Sequence, residues 1–527
     1  MIRQLTQQEK KKLFNQRLQR VHISLGISFS FLMYIALFFG IFAILLPYIQ
    51  TWEKPINHIK MADISTINYE KIVNPVLENP DFPKNNPITI SLPGYMKNPT
   101  LQISTKSVDT KIFNPNSGEE LQRDRSSFNL GQFLNYMHYG RLFGEFGIYI
   151  FGFMAVACLI LMIGGLYQIL TLKYKNSSST QTGFFSKWHR KILLWTVFPF
   201  FIITLTGVMY NLGFKNLSFM SQIVTKGDSQ SSKLFGLAFN IPEPKVDIRN
   251  ESAKMLPLDE LVKKAQEIAP QMQWHKIRIV NYGDISARYK FEGYNPYMPF
   301  LNGITNIPNL TLSGVDGSFI DEKKVFDKNW ASIVYDSFVY IHVLLVADDF
   351  TRLFVAFLMI ITILAIGFGN MLYLEKRARK FPQYIQPYQG FGKLSLAVMI
   401  GVIPSTAFLF VLQWLLPFGM ENKILIQKGL FACFWSLTFT YSFYKLNSYQ
   451  TAKDFLYLAG GLFILSSIIH FVNSGYSPIR LLNEELYTIF AVDVALIIFG
   501  LVLIYIAKKL PINREDIMKF WTARGVK

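Results

Sequence analysis

The 527-residue chain is 51% hydrophobic, 15% aromatic and only 17% charged, with 47 Phe, which excludes a disordered protein and an ordinary soluble enzyme. Its formal charge of +18 looks like a nucleic-acid signal until the cations are mapped. Cys158 and Cys433 both lie inside apolar runs, which excludes a disulfide framework and a cysteine-based metal site.

Apolar runs of the length an α-helix needs to cross a bilayer core of about 30 Å predict eight spans, near 23–47, 144–170, 191–212, 341–373, 394–416, 424–444, 454–472 and 484–507. Lys and Arg gather in the N-terminal tail (Lys10, Lys11, Lys12, Arg17, Arg20), after the second span (Lys173, Lys175, Lys187, Arg190, Lys191), after the fourth (Lys376, Arg377, Arg379, Lys380), at Lys445 and Lys453, and in the C-terminal tail. By the positive-inside rule both termini are then cytoplasmic. The excess charge is a topology signal and requires no nucleic acid. The first run is too long, and too poor in small residues, for a removable signal peptide, so it reads as an uncleaved anchor.

The expectation is an α-helical integral membrane protein of about eight transmembrane helices, with two outer α+β domains in an internally duplicated first half. It divides into 1–47 (tail and first span), 48–137 (first outer domain), 138–212 (second and third spans), 213–340 (second outer domain), 341–375 (fourth span) and 376–527 (a four-helix membrane region and tail). The duplication shows in spacing. His22 opens the first span with Gly40 following, and His189 opens the third with Gly207 following, both at the same offset. His138 and Gly165 repeat as His342 and Gly369. Arg141-Leu142-Phe143 recurs as Arg352-Leu353-Phe354, at a different distance from its histidine. In the second outer segment, residues 257–271 have helical spacing, and 275–280, 286–292 and 309–320 alternate like strands, the last around a Val315-Asp316-Gly317 turn. The first outer segment repeats this faintly at 87–92, 100–104 and a turn at Asn116-Ser117-Gly118.

Of seven histidines, four lie at span ends: His22 and His189 on the cytoplasmic side, His138 and His342 on the outer side. Two imidazoles on facing helices at one depth are what a bis-histidine b-type haem requires, and two such haems would carry electrons across the bilayer. Arg20, Arg190, Arg141 and Arg352 lie where they could neutralise haem propionates, and glycines at the opposite depth would let a flat macrocycle approach the backbone. The competing reading is an interfacial belt, with Trp188 beside His189. Asp493, inside the last span, is a functional candidate by its location, with His470 at similar depth as its partner. His58 and His275 read as ordinary residues of the outer segments, and the aromatic turn from Tyr294 to Phe300 as a ligand-receiving or membrane-facing loop. No phosphate loop, dinucleotide fingerprint or nucleophile–base motif is present.

These residues resemble a known family. Residues 255–320 are similar to a PepSY domain. Trp188-His189-Arg190 with Thr206-Gly207, and the run from His342 through Arg352 and Gly367 to Lys376-Arg377, resemble the membrane signature of the PepSY-associated transmembrane proteins. These include bacterial iron-regulated membrane proteins and inner-membrane ferric-siderophore reductases. The likeness covers about residues 10–380. It implies two b-type haems held by His22, His189, His138 and His342, and reduction of a ferric siderophore at the periplasmic face of the inner membrane. Fe(II) is held weakly by ligands chosen for Fe(III), so one electron would release the iron. The cytoplasmic segments are too short for a flavin or nicotinamide domain, so a separate cytoplasmic partner or the quinone pool would supply electrons. The alternatives are a siderophore or peptide transporter with incidental histidines, and a PepSY-based regulator of a periplasmic protease.

Overall fold

The computed structural model describes residues 5–106, 108–123, 127–172, 180–213, 216–227, 247–302, 307–380, 386–445 and 447–512. Lys173, Lys175 and the tail beyond 512 lie outside them. Among the described residues seven helices are long and apolar enough to cross a membrane: Gln7–Ile44, Arg141–Thr171, Gln181–Gly213, Asp349–Arg377, Gln389–Leu415, Ser448–Ser474 and Tyr487–Lys509. The chain is a multi-pass membrane protein. The eighth expected span, 424–444, is a continuous helix, Lys423–Tyr444, but it is not among the seven. Lys423 and Lys428 lie near its start, and the buried Lys423 ammonium donates to the carbonyls of Gln413 and Leu416.

In chain order we name α1 (Gln7–Ile44), α2 (Leu46–Trp52), β1 (Ile88–Ser91), β2 (Leu101–Ser104), β3 (Lys111–Phe113), β4 (Glu120–Leu121), α3 (Leu130–His138), α4 (Gly144–Thr171) and α5 (Gln181–Val208). The second half continues with α6 (Leu258–Ile268), β5 (Gln273–Val280), β6 (Arg288–Tyr294), β7 (Asn309–Ser313), β8 (Phe319–Lys323), α7 (Trp330–Val343) and α8 (Asp349–Lys380). The fourth span therefore starts later than 341. Leu344 and Val346 adopt left-handed φ of 53° and 52°, which ends α7. Asp348 then accepts from the amide and hydroxyl of Thr351 and starts a new helix.

The two outer segments do not fold apart. Their strands form one antiparallel sheet in the order β4-β3-β2-β1-β5-β6-β7-β8, each half a meander and the halves joined by β1 against β5, with Ile90 opposite Ile277. This is the internal duplication made visible. Alternation decides which face is buried: Ile88, Ile90, Leu101, Ile103, Ile277, Ile279, Tyr289, Phe291, Leu310 and Leu312 share one core with Leu258, Leu261, Val262 and Ala265 of α6. The helix of one half also caps the other. Asp259 of α6 accepts the backbone N–H groups of Tyr69 and Glu70, at the start of the short helix Tyr69–Ile72. The expected strand 309–320 splits into β7 and β8 around its turn.

The C-terminal region holds α9 (Val402–Leu415), α10 (Lys423–Tyr444), α11 (Ser448–Ser474) and α12 (Tyr487–Lys509). Gly460 and Gly500 let α11 and α12 cross closely, since a Cβ on either would stand 2.6 Å from the other's carbonyl oxygen. The core of this bundle is continuous with the first half. Trp52 of α2 packs on Phe410 and Trp414 of α9, and Phe133 of α3 on Phe431 of α10.

Glu53, at the end of α2, is buried in this seam, its carboxylate accepting the Gly131 N–H at 2.7 Å. Burial pushes its pKa up to about 7 from an ordinary 4.5, against the lowering effect of that bond. A carboxyl held protonated in the folded state stabilises it below pH 4.5, and the contribution is lost as pH rises towards 7. The expected loss is about 3 kcal/mol. The difference in unfolding free energy between the wild type and Glu53→Gln should follow that slope across the window, since the buried His58 and His275, with pKa pushed down to about 3 and about 4, titrate there in both.

Candidate functional site

The structure brings the four span-end histidines together as two pairs, each joining the two halves. His22 on α1 faces His189 on α5, ring centres 6.4 Å apart. His138, the last residue of α3, faces His342 near the end of α7 at 6.1 Å. The second pair lies at the sheet-bearing end of the bundle and the first nearer the opposite end.

Each ring is seated by one device used four times, a helix carbonyl with a glycine one turn later. His138 Nδ1 bonds the Ala36 carbonyl at 2.7 Å, and a Cβ on Gly40 would stand 3.0 Å from that nitrogen. His189 Nδ1 bonds the Ala365 carbonyl at 2.8 Å beside Gly369, whose Cβ would meet the ring at 3.1 Å. His342 Nδ1 meets the Ile203 carbonyl and the Thr206 hydroxyl, with Gly207 against the ring. His22 faces Leu161 and Gly165 in the same way, although its Nδ1 completes no hydrogen bond. The glycines noticed in the sequence thus abut the imidazoles that lie at the other depth from their own helix's or half's histidine. The carbonyl partners carried no sequence signal of their own, being ordinary helix residues four places before each glycine.

A carbonyl only accepts, so Nδ1 of His138 and His189 carries the hydrogen, and Nε2 keeps its lone pair. A second-shell carbonyl that fixes the tautomer in this way is typical of metal-bound imidazole. The spacing agrees as well. Metal–nitrogen bonds of about 2.0–2.1 Å and a ring radius of about 1.1 Å place two imidazole centres about 6 Å apart across one metal. His138 and His342 also line a cavity of about 430 Å³ walled by Leu37, Phe151, Met154, Cys158, Phe200 and Met359, an apolar enclosure with few polar groups. The donor set fits two bis-imidazole iron centres.

The arginines divide. Arg141 follows His138 in a tight turn and lines the same cavity. Arg352, ten residues beyond His342 on α8, is elsewhere. It is buried and donates to the carbonyls of Ala347, Ile44 and Leu344, with Met96 Sδ at 3.7 Å. Its planar fork is occupied by backbone, which corrects the propionate role expected for it. Arg20 is exposed, and Arg190 donates to Ser186 at 2.6 Å.

Met96 also separates the cavity from a crevice of about 510 Å³ between the sheet and the bundle, lined in part by Lys97, Tyr294, Pro299, Val346, Asp349 and Arg352. Met96, Lys97, Val346 and Glu485 all line it with positive φ, and strained backbone of this kind clusters at functional sites. The aromatic turn contributes Tyr294, Pro296 and Pro299 to this crevice while Tyr297 projects outward, 83% exposed.

His470 and Asp493 pair as expected, at 2.8 Å and wholly buried. His58 is not an ordinary outer residue. It is buried, its ring 5.2 Å from that of His470, and nothing in its local sequence indicated this. His275 stacks on Tyr95 at 4.3 Å.

The seating device yields a graded test. Gly367 has open space where a Cβ would go, whereas Gly369 abuts His189. Gly367→Ala should leave thermal unfolding unchanged or slightly raised, while Gly369→Val should destabilise by about 1–3 kcal/mol through overpacking. Equal effects at the two sites would contradict a seating role.

The family model of the PepSY-associated TM region matches residues 19–376, a stretch that contains both histidine pairs and the whole sheet. Among curated proteins none matches this chain.

Proposed function

This chain belongs to the PepSY-associated transmembrane family, and on that footing we propose that it is a bacterial inner-membrane reductase with two b-type haems. It would pass electrons outward to a periplasmic ferric siderophore, with both termini in the cytoplasm. The observation that carries this reading is the double pairing of imidazoles, His22 with His189 and His138 with His342, at two depths of one bundle, three of them with Nδ1 bonded to a helix carbonyl.

Bound haem would supply reversible one-electron transfer between iron atoms held at the two depths. The chain's part is to hold and insulate. Carbonyls orient His138, His189 and His342, the glycines give all four rings room, and largely apolar walls line the cavity around His138 and His342. Arg141 lines that cavity and would take a propionate charge. The crevice behind Met96 is where an external chelate would come nearest to that pair. One electron converts bound Fe(III) to Fe(II), and the oxygen ligands then release it. A cytoplasmic partner or the quinone pool supplies the electron.

The deciding measurement is a visible spectrum of the detergent-purified protein, oxidised and dithionite-reduced, with a pyridine haemochrome count. Sharp b-type bands with about two haems per chain are expected. A colourless protein from haem-replete cells would return the four histidines to an interfacial role.

A further inference from the structure

We propose that His470, Asp493 and His58 form a binding site for a single proton, added by the C-terminal bundle to the family core. The site lies at the sheet-bearing end, where α11 and α12 meet the segment after α2, and most of it falls outside the matched residues 19–376.

The hydrogen bonds fix what is missing. Asp493 accepts from Trp52 Nε1 at 2.9 Å and from His470 Nδ1 at 2.8 Å. His58 Nε2 donates to the Trp52 carbonyl at 3.2 Å. Both rings therefore carry their hydrogen on the side away from the remaining nitrogen. His470 Nε2 and His58 Nδ1 are left buried without partners, in rings whose centres are 5.2 Å apart. A buried lone pair on a ring that already bonds a buried carboxylate is a place for a proton. A proton on His470 Nε2 turns the ring into the counter-ion of Asp493, 2.8 Å from its Nδ1.

The surroundings supply no substitute. Glu53 is bound to Gly131, Lys54 to Asn129, and Lys423 to two carbonyls. Lys60 pairs with Glu485 and Arg480 with Glu484, all exposed. On the aromatic side Trp52, Trp414 and Tyr476 enclose the rings. Among the described residues no set of three metal-ligating side chains exists, so a metal ion would be poorly held. Burial pushes the pKa of His58 down to about 3, so the proton goes to His470, whose Nδ1 lies against Asp493. Ile59 and Ile489, beside His58 and one turn before Asp493, both line the crevice. The proton thus sits directly behind the crevice wall.

The test is solid-state NMR of ¹⁵N-histidine-labelled, dithionite-reduced protein in lipid at pH 7. One ring should show both nitrogens protonated. That signal should vanish in His470→Gln and in Asp493→Asn, and persist in His58→Gln. No doubly protonated ring in the wild type, or one that survives His470→Gln, would overturn the proposal. The readout uses neither chelate nor electron transfer, so it can fail while the reductase reading stands, and the reverse.

Discussion

His342→Ala and His138→Ala should each reduce the haem content from about two to about one per chain and abolish chelate reduction. The two residues come from different halves of the duplication, on α7 and α3. No other histidine lines the cavity they share, so no second imidazole can replace either. The surviving pair, His22 with His189, is seated on α4 and α8 instead, against Gly165 and Gly369, and should keep its spectrum. His22→Ala and His189→Ala should give the complementary loss. Pyridine haemochrome counts read the first effect, and single-turnover reduction of a ferric chelate reads the second. Full haem content in both outer variants would sink the assignment.

Arg352→Ala should be the most destabilising of the arginine substitutions while leaving both haems bound. Its guanidinium ties the end of α1, at Ile44, to the turn after α7, at Leu344 and Ala347. Each buried carbonyl left without a donor costs about 1–3 kcal/mol. Arg352→Lys should recover only part of that loss, since an ammonium cannot reproduce the planar fork. Thermal unfolding measures the stability, and the haem count separates the roles. Loss of one haem with unchanged stability would restore Arg352 as a propionate partner. The same clasp holds Met96 between cavity and crevice, so the Ala variant should also alter the rate of chelate reduction.

Much of this was legible in residue order. Span positions, the duplication and the four histidines all express local periodicity or regular offset, which survive in a linear string. The +18 and +27 offsets of the glycines were visible too, but their meaning was not. They lie against histidines of the opposite depth, and only helix packing reveals which ring each one meets.

Hydrophobic run length and cation asymmetry by themselves determined that this is a multi-pass membrane protein, because a bilayer imposes one length and one sign rule on every span. Family-like residues determined which four imidazoles the haem proposal rests on. Tertiary structure alone decided three things. It merged two outer segments into one sheet, since β1 and β5 are partners far apart in sequence. It assigned Arg352 to backbone carbonyls, since three spare acceptors converge there only after folding. It gathered His58, His470 and Asp493 into one buried cluster, since burial depends on neighbours contributed by α2, α9, α11 and α12, and no local pattern records them.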